Sequence, residues 1–258
     1  MKRVILPLAL LVTMGTVTVS SSEQFAMSDA DRAMYNEMLE NNPADIYVEE
    51  GGELLEETLG GEAALAKFLG VSEDELPRYI AGFPRYIEKL GNVVGIDQVM
   101  QVMQLEQGKE KWELKDERMF SMLAYVKSLA NGEHLNIDIH ADEHIKEAYA
   151  LGKVTYETPR GGRGLSCKSC HGADVAGQIL RTQPIPDLGA DGSGATWPAY
   201  RMTKSSLRTL QRRFQGCMNN ALMAGMPLGS KEMNALEVYI SKMAQDSKQP
   251  IAIPGLKR

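Results

Sequence analysis

Cysteine is scarce in this chain: three in 258 residues, none of them before Cys167. That count leaves a zinc site built from paired C-x-x-C motifs without its second half. Long apolar runs are also lacking. Beyond the N-terminus no stretch is long enough for a membrane helix, so no membrane span is expected. Positive charge is not in excess. The formal net charge is -6, which argues against general nucleic-acid binding. Alternating β-branched runs are few, while short blocks of helix formers alternate with glycine and proline. The expected class is all-α with long loops.

Against this background the segment Ser166-Cys167-Lys168-Ser169-Cys170-His171-Gly172 stands out. It is a C-x-x-C-H motif. Two thiols at this spacing lie on one turn, where they can add to the two vinyl groups of a haem. The adjacent imidazole then serves as proximal iron ligand. One covalent haem c is therefore expected, bound by Cys167, Cys170 and His171. A chance disulfide or half a zinc site is the competing reading.

The N-terminus fits an extracytoplasmic destination. Lys2 and Arg3 precede an apolar stretch over residues 4–14, too short to span a bilayer, followed by Thr18, Ser20, Ser21 and Ser22. Residues 1–22 read as a secretory signal peptide, and the mature chain as periplasmic. The cleavage region has no lipobox cysteine, so no lipid anchor is expected. About 235 residues remain, enough for two small domains. In an oxidising compartment the leftover Cys217 is an intermolecular partner, a reactive thiol or a buried, inert cysteine.

Two segments suggest related halves. Residues 116–132 (DERMFSMLAYVKSLANG) carry Met119, Met122, Leu123, Val126 and Leu129 at helical spacing, with Gly132 at the expected C-terminal cap. Residues 230–245 (SKEMNALEVYISKMAQ) repeat the theme with Met233, Leu236, Tyr239, Ile240 and Met243, and Ser230 as N-cap. The pairs Tyr125-Val126 and Tyr239-Ile240 correspond. The expected organisation is two cytochrome c-like domains in tandem, residues 23–140 and 141–258, the first lacking haem. Met100, Met103, Met119 and Met122 suit the filling of a vacated cofactor space. Between the halves, His140 and His144 are spaced one helical turn apart, a pattern that more simply reads as a solvated helix start.

Residues 200–217 (YRMTKSSLRTLQRRFQGC) read as one helix. Leu207, Leu210 and Phe214 would face inward, and Arg201, Lys204, Arg208 and Arg212 would form a basic stripe. Arg213, close to Cys217, is the candidate to lower the thiol's pKa and to hold an oxyanion in bidentate fashion. Residues 182–196, rich in Gly, Pro and Asp, read as a loop over the haem edge.

From about residue 45 onward the chain resembles the SoxA family, the cytochrome subunits of the SoxAX L-cysteine S-thiosulfotransferase. The matching pieces are Phe83-Pro84-Arg85-Tyr86, the LAYVKSL end of the first half, LSCKSCHG followed by Ala176, Gly177, Gln178, Leu180 and Arg181, the WPAYR stretch, and RRFQGC ending at Cys217. The resemblance implies that Cys217 is the distal iron ligand and catalytic thiol, often carried as a persulfide, with Arg213 beside it. It also implies SoxX as heterodimer partner, the SoxYZ carrier protein as sulfur acceptor and thiosulfate as substrate. Lacking a cysteine in its first half, the chain groups with single-haem members. It departs from the family downstream of Cys217, where an arginine-containing turn is replaced by Leu222-Met223-Ala224-Gly225-Met226-Pro227.

Two other classes compete. A plain periplasmic electron-transfer cytochrome would use His171 with Met223 or Met226, and Met218 is a further thioether in reach. A thiosulfate dehydrogenase would carry a second C-x-x-C-H, which is absent here.

Overall fold

The computed structural model describes residues 28–180 and 183–257. The expected signal peptide at 1–22 lies outside them, as does Arg181. A polar helix α1 (Asp29–Glu40) comes first. It is tied to the far end of the chain, where the Tyr35 hydroxyl donates to the Leu256 carbonyl at 2.9 Å and the Asn42 amide to that of Pro254 at 2.8 Å.

The first half then runs α2 (Asp45–Leu59), α3 (Gly61–Leu69), α4 (Leu76–Ile80), a hairpin of β1 (Arg85–Ile87) and β2 (Asn92–Val94), α5 (Ile96–Glu106) and α6 (Glu117–Ser128). The second half runs α7 (Glu143–Glu157), the four-residue α8 (Lys168–His171), a hairpin of β3 (Ile179–Leu180) and β4 (Gln183–Pro184), another of β5 (Ala199–Arg201) and β6 (Ser206–Arg208), α9 (Leu210–Asn220), α10 (Lys231–Asp246) and β7 (Gly255–Lys257). In β7 the chain returns to pair in parallel with β5, making a three-stranded sheet of order β6-β5-β7.

The halves are copies of one plan, displaced by 114 positions: Arg85 answers to Ala199, Ile96 to Leu210 and Glu117 to Lys231. The prolines before each hairpin, Pro84 and Pro198, both follow cis peptide bonds. The two hairpins share one register, Arg85 opposite Val94 and Ala199 opposite Arg208. At the bend of each, Gly91 and Ser205 take positive φ. Gly95 and Thr209 then cap α5 and α9. The closing helices begin at equivalent caps, where the Asp116 carboxylate accepts from the Arg118 amide and the Ser230 hydroxyl from the Met233 amide. Their apolar stripes are buried as the periodicity predicts, with Leu129, Tyr239 and Met243 only half-buried. Helix α6 ends earlier than expected, at Ser128, so Gly132 closes the following turn instead of capping the helix.

Two expectations need correcting. The core is helical, but the connections form three small sheets, so the chain is not all-α. The helix expected over residues 200–217 exists only as α9. Its first half is the β5–β6 hairpin, which places Arg201 and Arg208 on strands, Lys204 in a 3-10 turn and Arg212 on α9, with no common helical stripe. His140 precedes α7, while His144 is exposed in its first turn and stacks on Tyr86 at 4.0 Å, in keeping with a solvated helix start. No metal-holding group of three or more His, Cys, Asp or Glu occurs among the described residues.

Each half packs its first long helix on its closing helix. The first-half core joins Leu55, Leu59, Met100, Met103, Met119 and Met122, all buried. The second joins Tyr156, Trp197, Leu210, Phe214, Met218, Met226, Met233 and Leu236. A buried polar seam links the halves. Gln211 donates to Asn234 at 3.0 Å and to Glu237 at 2.8 Å, and Asn234 donates across to the Val93 carbonyl and to Gln98. Asp97 is buried beside Glu237, which lies 4.0 Å from the Lys127 ammonium. No helix of the described residues is long and apolar enough to cross a membrane.

Candidate haem and thiol site

The haem motif begins on a small reciprocal turn. The Ser166 amide donates to the Ser169 hydroxyl at 3.0 Å, and the Ser169 amide to the Ser166 hydroxyl at 3.2 Å. The chain then coils into α8, with the His171 amide donating to the Cys167 carbonyl at 2.9 Å. Cys167, Cys170 and His171 all stay half-buried. Two further bonds fix the histidine. Tyr156 of α7 donates its hydroxyl to the His171 carbonyl at 2.9 Å, and the His171 Nδ1 lies 2.9 Å from the Pro186 carbonyl oxygen. A carbonyl accepts only, so Nδ1 carries the proton and Nε2 keeps its lone pair. The segment expected to pass over the haem edge therefore supplies the carbonyl that orients the His171 ring. It also supplies β4, which pairs with β3 in a hairpin the sequence did not suggest.

Helix α9 delivers the second set of groups. Leu210, Phe214 and Met218 are spaced four apart and buried. Arg213 and Cys217, also four apart, share another face and are half-buried. Thr209 starts the helix, its hydroxyl accepting from the Arg212 amide. The two sets converge electrostatically. Burial pushes the Cys167 thiol up to about 11, and the Cys217 sulfur adds to the effect. Burial also holds His171 below the usual histidine range, and the Arg213 charge acts in the same direction. A neutral imidazole is what an iron ligand must be.

All four sequence-derived groups, the Cys167–Cys170 pair, His171, Cys217 and Arg213, are thus brought together. One residue was missed as a member of this site. Arg201 of β5 is half-buried within range of both Arg213 and Cys217. Burial lowers its pKa, Arg213 pushes the same way and Cys217 opposes. Helical spacing alone places it on a basic stripe, but that part of the expected helix is the β5–β6 hairpin. The signal that could have found it is the parallel between FPRYIEKLGN and WPAYRMTKSS, which places both in hairpins.

The donor set fits haem c. Two thiols one turn apart can add to its vinyl groups, and an imidazole with Nδ1 engaged can offer Nε2 to its iron. In addition, the Arg160 Nε is buried without a hydrogen-bond partner, and the Arg160 charge acts on Cys167. An acidic group of a bound cofactor is the kind of partner that atom requires. Cys167 and Met223 border the apolar cluster around Trp197, Phe214 and Met226, a wall suited to a porphyrin face.

The SoxA/TsdA, cytochrome c domain family matches residues 51–135 and 151–248. The chain is 29% identical over 280 residues to the L-cysteine S-thiosulfotransferase subunit SoxA of Hydrogenophilus thermoluteolus, covering 100% of both. It is 28% identical to a SoxA of Hydrogenobacter thermophilus, over 84% of this chain and 82% of that one. Its fold is that of the crystal structure of SoxXA from P. pantotrophus, with a TM-score of 0.70 and 22% identity over 86% of this chain and 83% of that one. The match spans both halves, and only the second carries the C-x-x-C-H motif; the chain belongs to the SoxA/TsdA cytochrome c domain family.

Proposed function

We propose that the protein is the catalytic cytochrome subunit of a periplasmic L-cysteine S-thiosulfotransferase. It couples thiosulfate to a cysteine of the SoxYZ carrier and passes electrons to SoxX. The observation that carries this reading is the convergence of Cys217 and Arg213, on one face of α9, with Cys167 and His171 of the haem motif. A plain electron carrier has no use for an arginine and a thiol placed so.

The overall change joins the outer sulfur of thiosulfate to the carrier's cysteine sulfur. The carrier's S–H bond breaks, a proton is released, and two electrons leave. Arg213 attracts and orients the dianion against the Cys217 sulfur. Cys167 and Cys170 would hold one haem c covalently, and His171 and Cys217 would be the residues offered to its iron. Bound haem supplies the one-electron redox centre, whose potential a thiolate ligand lowers. The proposed boundaries are a signal peptide at 1–22, a haem-free domain at 23–140 whose methionine core replaces a cofactor, and a haem domain at 141–258.

Low-temperature EPR of the ferric protein, with haem quantified as the pyridine haemochrome, tests this directly. The expected result is one haem per chain and a low-spin thiolate-type signal, lost in Cys217→Ala together with thiosulfotransferase activity. A histidine–methionine signal in the parent protein would make it an electron carrier.

A further inference from the structure

The duplication offers an internal comparison. Positions 114 apart occupy the same place in each half, so Arg201, Arg213 and Cys217 correspond to Ile87, Val99 and Met103. In the first half all three are apolar, and all are buried in one core cluster. In the second the same three positions hold two guanidinium groups and a thiol, all half-buried. The scaffold does not require charge at these places, since its own first copy does without it.

Two arginines close enough to act on one another's charge in partly buried surroundings are unfavourable unless an anion joins them. Among the described residues neither Arg201 nor Arg213 has a carboxylate within ion-pair distance. Among the described residues, the side-chain hydrogen bonding of Arg201 is limited to a long 3.4 Å contact with the Thr203 hydroxyl. Its backbone is well fixed, because β5 is held by β6 on one side and by β7 on the other. The turn after Cys217, residues 222–227, contains no cation.

We propose that Arg201 is a second anion-holding residue, which forms with Arg213 a two-guanidinium cradle for the sulfonate end of thiosulfate against the Cys217 sulfur. A planar fork on each side matches the oxyanion's several acceptors, and neutralising both its charges takes two cations. This inference rests on the thiosulfate reading above.

The test is calorimetric titration of the ferric holoprotein with thiosulfate, alongside haem content, absorption spectrum and reduction potential. Arg201→Gln is expected to weaken binding about 10- to 100-fold with all haem properties unchanged. Arg201→Lys, which keeps charge but loses the fork, should fall between. A variant that titrates like the parent would overturn the cradle. So would one that loses haem or shifts its potential while binding thiosulfate normally, since Arg201 would then serve the cofactor. A parent protein that does not bind thiosulfate overturns it too. A parent that binds thiosulfate through Arg201 but transfers no sulfur to the carrier would leave the cradle standing and remove the thiosulfotransferase reading.

Discussion

Gly152 of α7 lies so close to Ala235 of α10 that a β-carbon on it would stand 2.0 Å from the Ala235 carbonyl oxygen. Gly51 and the Ser121 carbonyl repeat the relationship at the same 2.0 Å, and residues 121 and 235 are again 114 apart. Each half is locked by a helix crossing that only glycine permits. Gly152→Ala should force the helices apart and lower stability by about 1–3 kcal/mol. Urea denaturation of the haem-loaded protein checks this, and an unchanged midpoint would refute it.

The seam between the halves predicts a pH dependence. Asp97 stands near pKa 7 instead of its ordinary 3.8, first because it is buried and then because Glu237 is close; Lys127 and the Gln98 amide oppose the shift. A carboxyl whose folded pKa exceeds its unfolded one binds a proton on folding. Its contribution is full below about pH 4 and is lost as pH rises towards 7. Asp97→Asn should flatten that decline and be the more stable form at pH 8. Urea midpoints across pH 4–8 that run parallel in both proteins would exclude the effect.

Tyr156 reaches the motif from α7, its hydroxyl on the His171 carbonyl. Tyr156→Phe should cost about 1 kcal/mol while leaving haem attached. Thermal unfolding followed in the Soret band gives the answer.

Cys167→Ala combined with Cys170→Ala should yield a protein without covalent haem. Acid–acetone extraction separates the cases, since haem left with the protein after extraction would mean another attachment.

Arg213→Ala should reduce kcat/KM for thiosulfate about 10- to 100-fold with an unaltered haem spectrum. Steady-state kinetics with the carrier protein measure it, and unchanged kinetics would take Arg213 out of the site.

The haem motif and the two closing helices were legible because their signals are local. Cys167, Cys170 and His171 act within one turn, and the α6 and α10 stripes bury through periodicity alone. The hairpin over residues 199–208 was not. Arg201, Lys204, Arg208 and Arg212 happen to recur at helical spacing, and the polar pattern concealed the break. The physical markers were Ser205, which turns at φ 47°, and Thr209, which caps α9 at the point where the helix begins. The duplication was visible in Tyr125-Val126 and Tyr239-Ile240, but it reaches further back than that pair suggested. The seam of Asp97, Gln211, Asn234 and Glu237 could not have been read at all. Its members are scattered in sequence and are joined only by tertiary packing.

Strand β7 gives residues 255–257 a remote duty. It pairs with β5 residue by residue, Lys257 opposite Arg201, so the tail acts as a splint along the strand that presents that arginine. Proteolytic loss of the last few residues would leave the haem motif and Cys217 intact, with the cofactor colour retained. On the proposed two-arginine cradle, its damage would fall on thiosulfate affinity instead, and spectroscopic integrity would then be a poor guide to whether a preparation of this protein is competent.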